Sequence, residues 1–490
     1  MAKATTSRKK TAETDAAESK TAKKTATKKS ETSEKKATSR KKKTERIDTP
    51  TPVSTRPDST PELMAVPTPA LPADDLAKIN ALNTKLAELA TMVRQAFDTH
   101  NFALARQILI EQVLKLVPNH PVGLNDLAFA EKSLGNLDAA HQIASFALKH
   151  AAPEQLAEIY DSLASISYLK NCFEESLFYG RAAINAKKSA VSTEVYPLPK
   201  RKKKGLHSDK SKNIISFSLF GASPRYTETA VVNASLAQHI YPEWTCRFYV
   251  DDSVPAHVIT RLEQHGSQIV KMENTTLSGL FWRFKVMADP SVHCFIIRDA
   301  DSLLSYKEAY AVKAWLDSKK HFHIMRDAYE HSELILAGMW GGYAGVFDDI
   351  ETMMATFLSQ LKVTNRTIDQ QFLRQMIYPT VAQDVLVHDS RQLEIGSEPF
   401  PAYPLSDVEK IPYFHIGMVD AHAQTTTVYL EQPAQKVAWF LVNENEQMIC
   451  FYEATPTIKD DKLVVQLNLP YFYSQNITQG LWRIKYQILA

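Results

Sequence analysis

The spacing of apolar residues changes along the chain, and each change predicts a different kind of structure. No aromatic or branched aliphatic residue occurs before Ile47, so that stretch cannot bury a core and is expected to be disordered. A Pro-rich linker, residues 49–72, follows. Next comes an internal repeat. Asn101-Phe102-Ala103-Leu104-Ala105, Asn136-Leu137-Asp138-Ala139-Ala140 and Cys172-Phe173-Glu174-Glu175-Ser176 recur at spacings of 35 and 36 residues, the period of stacked helical hairpins. Ala105, Ala140 and Ser176 are expected where two helices pack closely, Gly135 in a turn, and Pro118 and Pro153 at breaks between helices. After Asn213, short apolar runs alternate with helical periodicity. Strands are expected at 214–219, 245–250, 268–272, 293–297, 321–325 and 385–387, with helices near 230–241, 307–316, 348–361 and 367–376. That alternation predicts an open, mostly parallel α/β sheet whose ligands bind beyond the carboxyl ends of the strands. Beyond Asp420, the runs 425–430, 436–442, 448–452, 463–467 and 482–488 read as strands of a small all-β sandwich. The expected organisation is a disordered basic tail with its linker (1–74), a helical array (75–190), a basic linker (191–212), an α/β domain (213–420) and a β domain (421–490).

Composition changes this picture little, and charge changes it more. At 490 residues, 44% apolar and 23% charged, the chain suits a soluble globular protein of several domains. No apolar run reaches the roughly 18 residues that cross a bilayer, and the start MAKATTSRKK lacks a secretory core, so a cytoplasmic location is expected. Cys172, Cys246, Cys294 and Cys450 fit neither a disulfide framework nor a zinc pattern, and are read as buried small apolar residues. Residues 1–46 hold 16 Lys and Arg against 6 Asp and Glu, a net +10 in a chain whose total is +2, which leaves −8 for the rest. Such a tail fits an anionic membrane surface, which would make the protein peripheral at the inner membrane face. It fits nucleic acid or a solvating tether as well. The run Lys200-Arg201-Lys202-Lys203-Lys204 marks the second linker.

Candidate chemistry sits in FIIRDADS, residues 295–302, where an apolar strand ends in Asp299 and Asp301. Strand alternation puts residues i and i+2 on one face, so both carboxylates can point at one cation or phosphate. Chance supplies about one Asp-x-Asp in a chain of this length, so the weight lies in the position after a buried strand. Mg²⁺ or Mn²⁺ is usually held by one or two carboxylates plus the phosphates of a substrate.

These residues resemble known families. Residues 77–188 resemble the tetratricopeptide repeat family, whose Trp and Tyr positions are partly matched. The resemblance implies a protein partner in a concave groove, and three units equally fit packing against the next domain. The segment from Asn213 to about His415 resembles GT-A type nucleotide-sugar glycosyltransferases of the bacterial surface-polysaccharide kind. Beyond the aspartates, the likeness rests on Ser218-Leu219-Phe220-Gly221, Tyr241-Pro242-Glu243-Trp244, Phe281-Trp282-Arg283-Phe284 and Ala337-Gly338-Met339-Trp340-Gly341-Gly342. It implies a nucleotide-sugar donor whose diphosphate is held by Mn²⁺ or Mg²⁺, and a glycan or lipid-linked acceptor.

Within that resemblance Asp301 is the leading metal ligand. Asp299 is either a second ligand or an acceptor for the donor's ribose or sugar. Arg283 and Arg298 fit phosphate oxygens, or a structural ion pair beneath the site. Ser218, Leu219 and Phe220 mark where the donor base would lie. His415 is favoured over His388 as third metal ligand, although neither matches the glycogenin-like His-x-x-Gly-x-x-Lys pattern. Asp369 and Asp327 are candidate bases with Glu330 a rival, and Asp369, following Thr367, equally fits a helix cap. His331, Trp340, Gly341 and Gly342 are candidate acceptor contacts, with Trp340 either a flat face for a sugar or a core residue in a tight turn. Two classes of function stay open: an active transferase, protein-modifying if the repeats bind a polypeptide acceptor, or a repeat scaffold carrying a degenerate sugar-nucleotide fold. The intact aspartate pair favours the enzyme. The β domain suits carbohydrate binding or assembly.

Overall fold

The computed structural model describes residues 72–200, 205–273, 275–361, 367–419 and 425–489. The expected disordered tail up to residue 71, and the basic run at 201–204, lie outside them. No helix among the described residues is long and apolar enough to cross a membrane.

The helical array is a set of hairpins. Helix α1 (Ala73–Asp98) pairs with α2 (Phe102–Ile108), which a π-helical turn (Leu109–Val113) carries into α3 (Leu114–Leu116). Helix α4 (Pro121–Ser133) pairs with α5 (Leu137–His150), and α6 (Leu156–Leu169) with α7 (Phe173–Ala190). The recurring phrases open the second helix of each hairpin. The residues just before them, His100, Gly135 and Asn171, have φ of 56°, 85° and 60°, the left-handed conformation that closes the preceding helix. Ala105, Ala140 and Ser176 are all fully buried, as the repeat predicts, and the Ser176 hydroxyl donates to the Ala164 carbonyl at 2.8 Å. Cys172 departs from expectation because it precedes α7 at the surface, whereas Cys246, Cys294 and Cys450 are buried.

A half-buried carboxyl makes the array pH-sensitive. Burial pushes Asp126 of α4 up from 3.8 to about 6, opposed by Arg94. The folded state therefore keeps a proton that the unfolded chain releases, so stability is lost as pH rises from about 4 to about 6. Asp126→Asn is expected to gain up to about 2 kcal/mol at pH 7.5 and nothing at pH 4, read as a pH-dependent difference in melting temperature.

The central sheet contains β1 (Asn213–Leu219), β2 (Thr245–Val250), β3 (Gln268–Lys271), β4 (Cys294–Ile297), β5 (Phe322–Arg326), β6 (Trp340–Tyr343) and β7 (Val385–Asp389). Its order is β3-β2-β1-β4-β6-β5-β7, parallel except for β6, which runs antiparallel to both neighbours. Helices α8 (Pro224–Ile240) and α9 (Ala256–Gln264) connect the first strands, and α10 (Tyr306–Ser318) follows β4. Helices α11 (Ile350–Gln360), α12 (Ile368–Phe372) and α13 (Tyr378–Val381) precede β7. Strand β6 was not expected, because Trp340-Gly341-Gly342 reads as a turn. Its glycines are instead required by close neighbours: a Cβ on Gly341 would lie 2.5 Å from the Phe295 carbonyl oxygen, and one on Gly342 2.5 Å from Phe322.

The array is fastened to this domain through α6 and α7. Lys187, 3% exposed, donates to Asp161 at 2.6 Å and to the Ser332 carbonyl at 2.9 Å, and Ser165 donates to Glu330 at 2.6 Å.

The C-terminal region forms two antiparallel sheets. One joins β9 (Lys436–Val442), β10 (Met448–Ala454) and β13 (Arg483–Leu489). The other joins β8 (Thr425–Tyr429), β11 (Thr457–Lys459) and β12 (Lys462–Asn468). Tyr471-Phe472-Tyr473 begins a helix, α14 (Tyr471–Thr478). This region is no independent sandwich. Trp439, Leu441, Tyr452 and Val465 share one apolar cluster with Phe217, Phe248 and Ala230 of the α/β domain. Within it, fully buried Glu228 of α8 accepts from Tyr452 at 2.6 Å, from Tyr473 at 3.1 Å and twice from Arg261 at 2.9 and 2.8 Å.

Candidate active site

Strands β1 and β4 are parallel neighbours, yet the chain leaves β1 toward β2 on one side and comes back as β4 on the other. At such a switch the connections diverge and a crevice opens beyond the carboxyl ends. Here it is a cavity of about 150 Å³. Ser218, Leu219 and Phe220 line it from the end of β1, Tyr226 from α8, Leu280 and Arg283 from a 3₁₀ run (Gly279–Met287), and Asp299, Ala300 and Asp301 from beyond β4.

Strand β1 fixes the 3₁₀ run, since Ser216 donates to the Arg283 carbonyl at 2.7 Å and the Arg283 amide donates to Ser218 at 3.0 Å. Phe220 lies across Gly279, where a Cβ would come within 2.3 Å of its ring, and meets Trp282 edge-on at 5.8 Å. It remains 43% exposed, a flat aromatic face at the mouth of the cavity.

The charges form two linked pairings. Arg283 is buried and forks between Asp299 and Asp369, reaching the latter at 2.8 Å; its third contact is the Arg298 carbonyl at 3.1 Å. Asp301 Oδ2 accepts from Arg225 Nε at 3.0 Å and Nη2 at 2.7 Å. Burial pushes Asp301 above the usual carboxylate range, helped by the charge of Asp299 and opposed by Arg225. Asp369 is likewise pushed up by burial, with Arg283 opposing. Three carboxylates thus face two guanidinium groups. The Asp299 Oδ2 and Asp301 Oδ1 atoms take no side-chain hydrogen bond among the described residues. Excess negative charge and two hard oxygens without a side-chain donor fit a divalent cation whose shell substrate phosphates would complete. Among the described residues no three His, Cys, Asp or Glu side chains converge on a metal position, so Asp299, Asp301 and His415 are not assembled as a trio.

Several expected site residues lie elsewhere. Arg298 takes the structural option, pairing with buried Glu308 at 3.0 Å and donating to the Ile297 carbonyl at 2.8 Å. Asp327 is buried, accepting from Lys307 at 2.5 Å, from the Ile416 amide at 2.9 Å and from Ser390. His331 accepts from the Asp327 amide at 2.9 Å, packs against His415 at 5.1 Å, and is pulled down to about 3 mainly by burial. These three form a knot outside the cavity lining. His388 faces His323 at 2.8 Å. Trp340, Gly341 and Gly342 are core residues of β6, with Trp340 fully buried edge-on to Phe295. Asp369 does sit at the opening of α12, but its Oδ2 is committed to Arg283 and its Oδ1 accepts the Gln370 amide at 2.9 Å.

Arg225, Tyr226, Leu280 and Gly338 belong to the site and were not anticipated. A Cβ on Gly338 would lie 2.0 Å from Asp299 Oδ2, so the chain there passes directly over the carboxylate. The usable signal for Arg225 was its place in the first turn after β1, where α/β proteins put anion-binding groups.

No family model matches the chain, and no curated protein matches it. Among solved structures, a mutant of the Thermobaculum terrenum O-GlcNAc transferase is similar at 13% identity and a TM-score of 0.26, over 46% of this chain and 47% of that one. The chain thus spans less than half the length of that protein, and a likeness at this level carries no weight for fold or activity.

Proposed function

We propose that the protein is a GT-A type glycosyltransferase that binds a nucleotide-sugar donor at the β1/β4 crevice and passes the sugar to a hydroxyl of a glycan or lipid-linked acceptor. The observation that carries the reading is the convergence of Asp299 and Asp301 on one cavity at the sheet's switch point. A cavity of about 150 Å³ suits the phosphate end of a donor, and exposed Phe220 offers a stacking face for its base. Asp301 and Asp299 would hold Mn²⁺ or Mg²⁺, which supplies Lewis acidity at the diphosphate. Arg283 orients Asp299 and stays charged between its two carboxylates.

In the transfer, the bond from sugar C1 to the diphosphate oxygen breaks with its electron pair leaving on the diphosphate, while the acceptor oxygen bonds to C1. Asp369 is tied to Arg283 and Asp327 lies outside the cavity lining, so neither is a free base. The hydroxyl proton then passes either to the departing diphosphate, with retention at C1, or to Glu330, which lines the junction cavity and accepts from Ser165 at 2.6 Å, with inversion. Acceptor access suits a junction cavity of about 410 Å³, where Thr367, Gln370 and Gln371 beside Asp369 face Glu158, Asp161 and Ser165 of α6. The repeat array would then form one wall of the acceptor site, which also suits a polypeptide acceptor.

A survey of nucleotide-diphosphate sugars with Mn²⁺ tests the proposal. Binding by calorimetry and slow nucleotide release are expected for at least one donor, with Asp299→Asn lowering turnover about 100-fold. If no donor binds and none is hydrolysed, the reading is wrong. Gly338→Ala is expected to displace Asp299, whose backbone nitrogen the new Cβ would also approach to 2.9 Å, weakening donor binding about tenfold or more and lowering the melting temperature.

A further inference from the structure

The countercharge on Asp301 is the part of the site that the proposed transfer leaves without a task. Arg225 sits in the first turn of α8, with its side chain 32% exposed. Nε and Nη2 both bind the same oxygen, Asp301 Oδ2, at 3.0 and 2.7 Å, which leaves Nη1 without a hydrogen bond among the described residues. The guanidinium also rests over the Tyr226 ring at 5.1 Å, and Tyr226 lines the cavity. Asp301 itself is largely buried, and while the ion pair stands its Oδ2 is not available to a cation.

We propose that Arg225 makes cation binding conditional on the donor: it blocks Asp301 in the free protein and moves to a donor phosphate oxygen when the diphosphate arrives. The inference rests on the donor-site reading above and adds an order of events to it. Its physical basis is competition between like charges for one carboxylate. A divalent ion arriving alone must displace a guanidinium held by two charge-assisted hydrogen bonds, and the freed guanidinium would have no new partner. Arriving with a diphosphate, the ion offers Arg225 a phosphate acceptor that suits its planar fork, so the lost pair is replaced rather than broken. Cation and donor then favour one another, and by linkage each must raise the other's affinity by the same factor. Half-exposed Arg225 has solvent on one side into which to swing, whereas Arg283, pinned between Asp299, Asp369 and the Arg298 carbonyl, cannot take this part.

Titration of the full chain with Mn²⁺, followed by loss of the free-ion paramagnetic resonance signal, reads this directly, with UDP and inorganic pyrophosphate as the anionic probes. The wild type is expected to bind Mn²⁺ weakly alone and at least about tenfold more tightly with UDP. Arg225→Ala, with Arg225→Gln as a second variant should alanine disturb the fold, is expected to bind Mn²⁺ alone about tenfold more tightly than the wild type. Its UDP affinity in Mn²⁺ should fall by a similar factor. Asp301→Asn should remove Mn²⁺ binding in either background. Wild type and Arg225 variants that bind Mn²⁺ alone equally well, with UDP binding intact, would overturn the role of Arg225 while leaving the donor site standing. Failure of every protein to bind Mn²⁺, UDP or pyrophosphate in any combination would remove the donor site and this inference with it.

Discussion

Arg283→Ala is expected to be the most damaging single change in the candidate site, costing about 3–5 kcal/mol of stability and at least about 100-fold in donor turnover. The cause is what the arginine separates. Its buried guanidinium holds Asp299 on one side and Asp369 on the other, and with it both carboxylates lose their only cationic hydrogen-bond partner among the described residues. Asp369 is already pushed up by burial, so with Arg283 gone its ionised form becomes still less favourable. Two consequences separate this account from simple loss of packing. The defect should shrink as pH falls, because protonating Asp369 removes the repulsion. A second substitution, Asp369→Asn, should recover part of the melting temperature without recovering turnover. Circular dichroism melts from pH 5 to 8, with donor hydrolysis measured on the same samples, check both.

Glu228→Ala is expected to be comparably destabilising, by about 3–5 kcal/mol, and to act far from the cavity. Glu228 is fully buried and accepts from Arg261, Tyr452 and Tyr473, so it ties α8 and α9 to β10 and α14. Removing it leaves the half-buried Arg261 guanidinium without its carboxylate, while the Tyr452 hydroxyl keeps Thr227 and the Tyr473 hydroxyl keeps Arg261. Tyr452→Phe deletes one of these bonds and should cost only about 1 kcal/mol. Hydrogen exchange should show β9, β10 and the facing side of α8 losing protection together in Glu228→Ala, with the repeat array unaffected. Protection lost in β10 alone would mean that the two regions are not one cooperative unit.

What could be read beforehand follows from how far apart the determining residues lie. Buried parallel strands are apolar on both faces, so β1, β2, β4 and β5 stand out as runs without any knowledge of their partners. The repeat shows equally well because the small residues at 105, 140 and 176 answer to a contact inside each hairpin. Strand β6 is hidden because its glycines respond to the bulk of Phe295 and Phe322 on neighbouring strands, and nothing local separates that from a turn. The aspartate pair is legible from its place at a strand end, but its countercharges are not, since Arg225 and Arg283 approach from separate stretches of chain. Arg298 shows the limit most clearly. It adjoins Asp299 in sequence, yet strand alternation turns it toward Glu308 on α10, and the sequence does not say which face is which. Asp327, His331 and His415 meet one another through a long loop closure that leaves no periodic trace.

The continuity of the apolar cluster from β1 through α8 to β9 and β12 bears on how the chain is made. Synthesis runs from the amino end, so α8 leaves the ribosome about 200 residues before the strands that cover it, as the numbering of Glu228 and Tyr452 records. Throughout that interval the side of α8 that meets the carboxyl-terminal strands has no partner, although β1, β2 and α9 can already cover the other, and buried Glu228 has neither tyrosine to bind. The hairpins of the array can close as they emerge, from contacts between near neighbours, while the α/β core must wait for distant ones. The nascent protein is therefore expected to be a folded amino-terminal array trailing a sticky, half-covered sheet, and that sheet is the part of the molecule with most to gain from a chaperone.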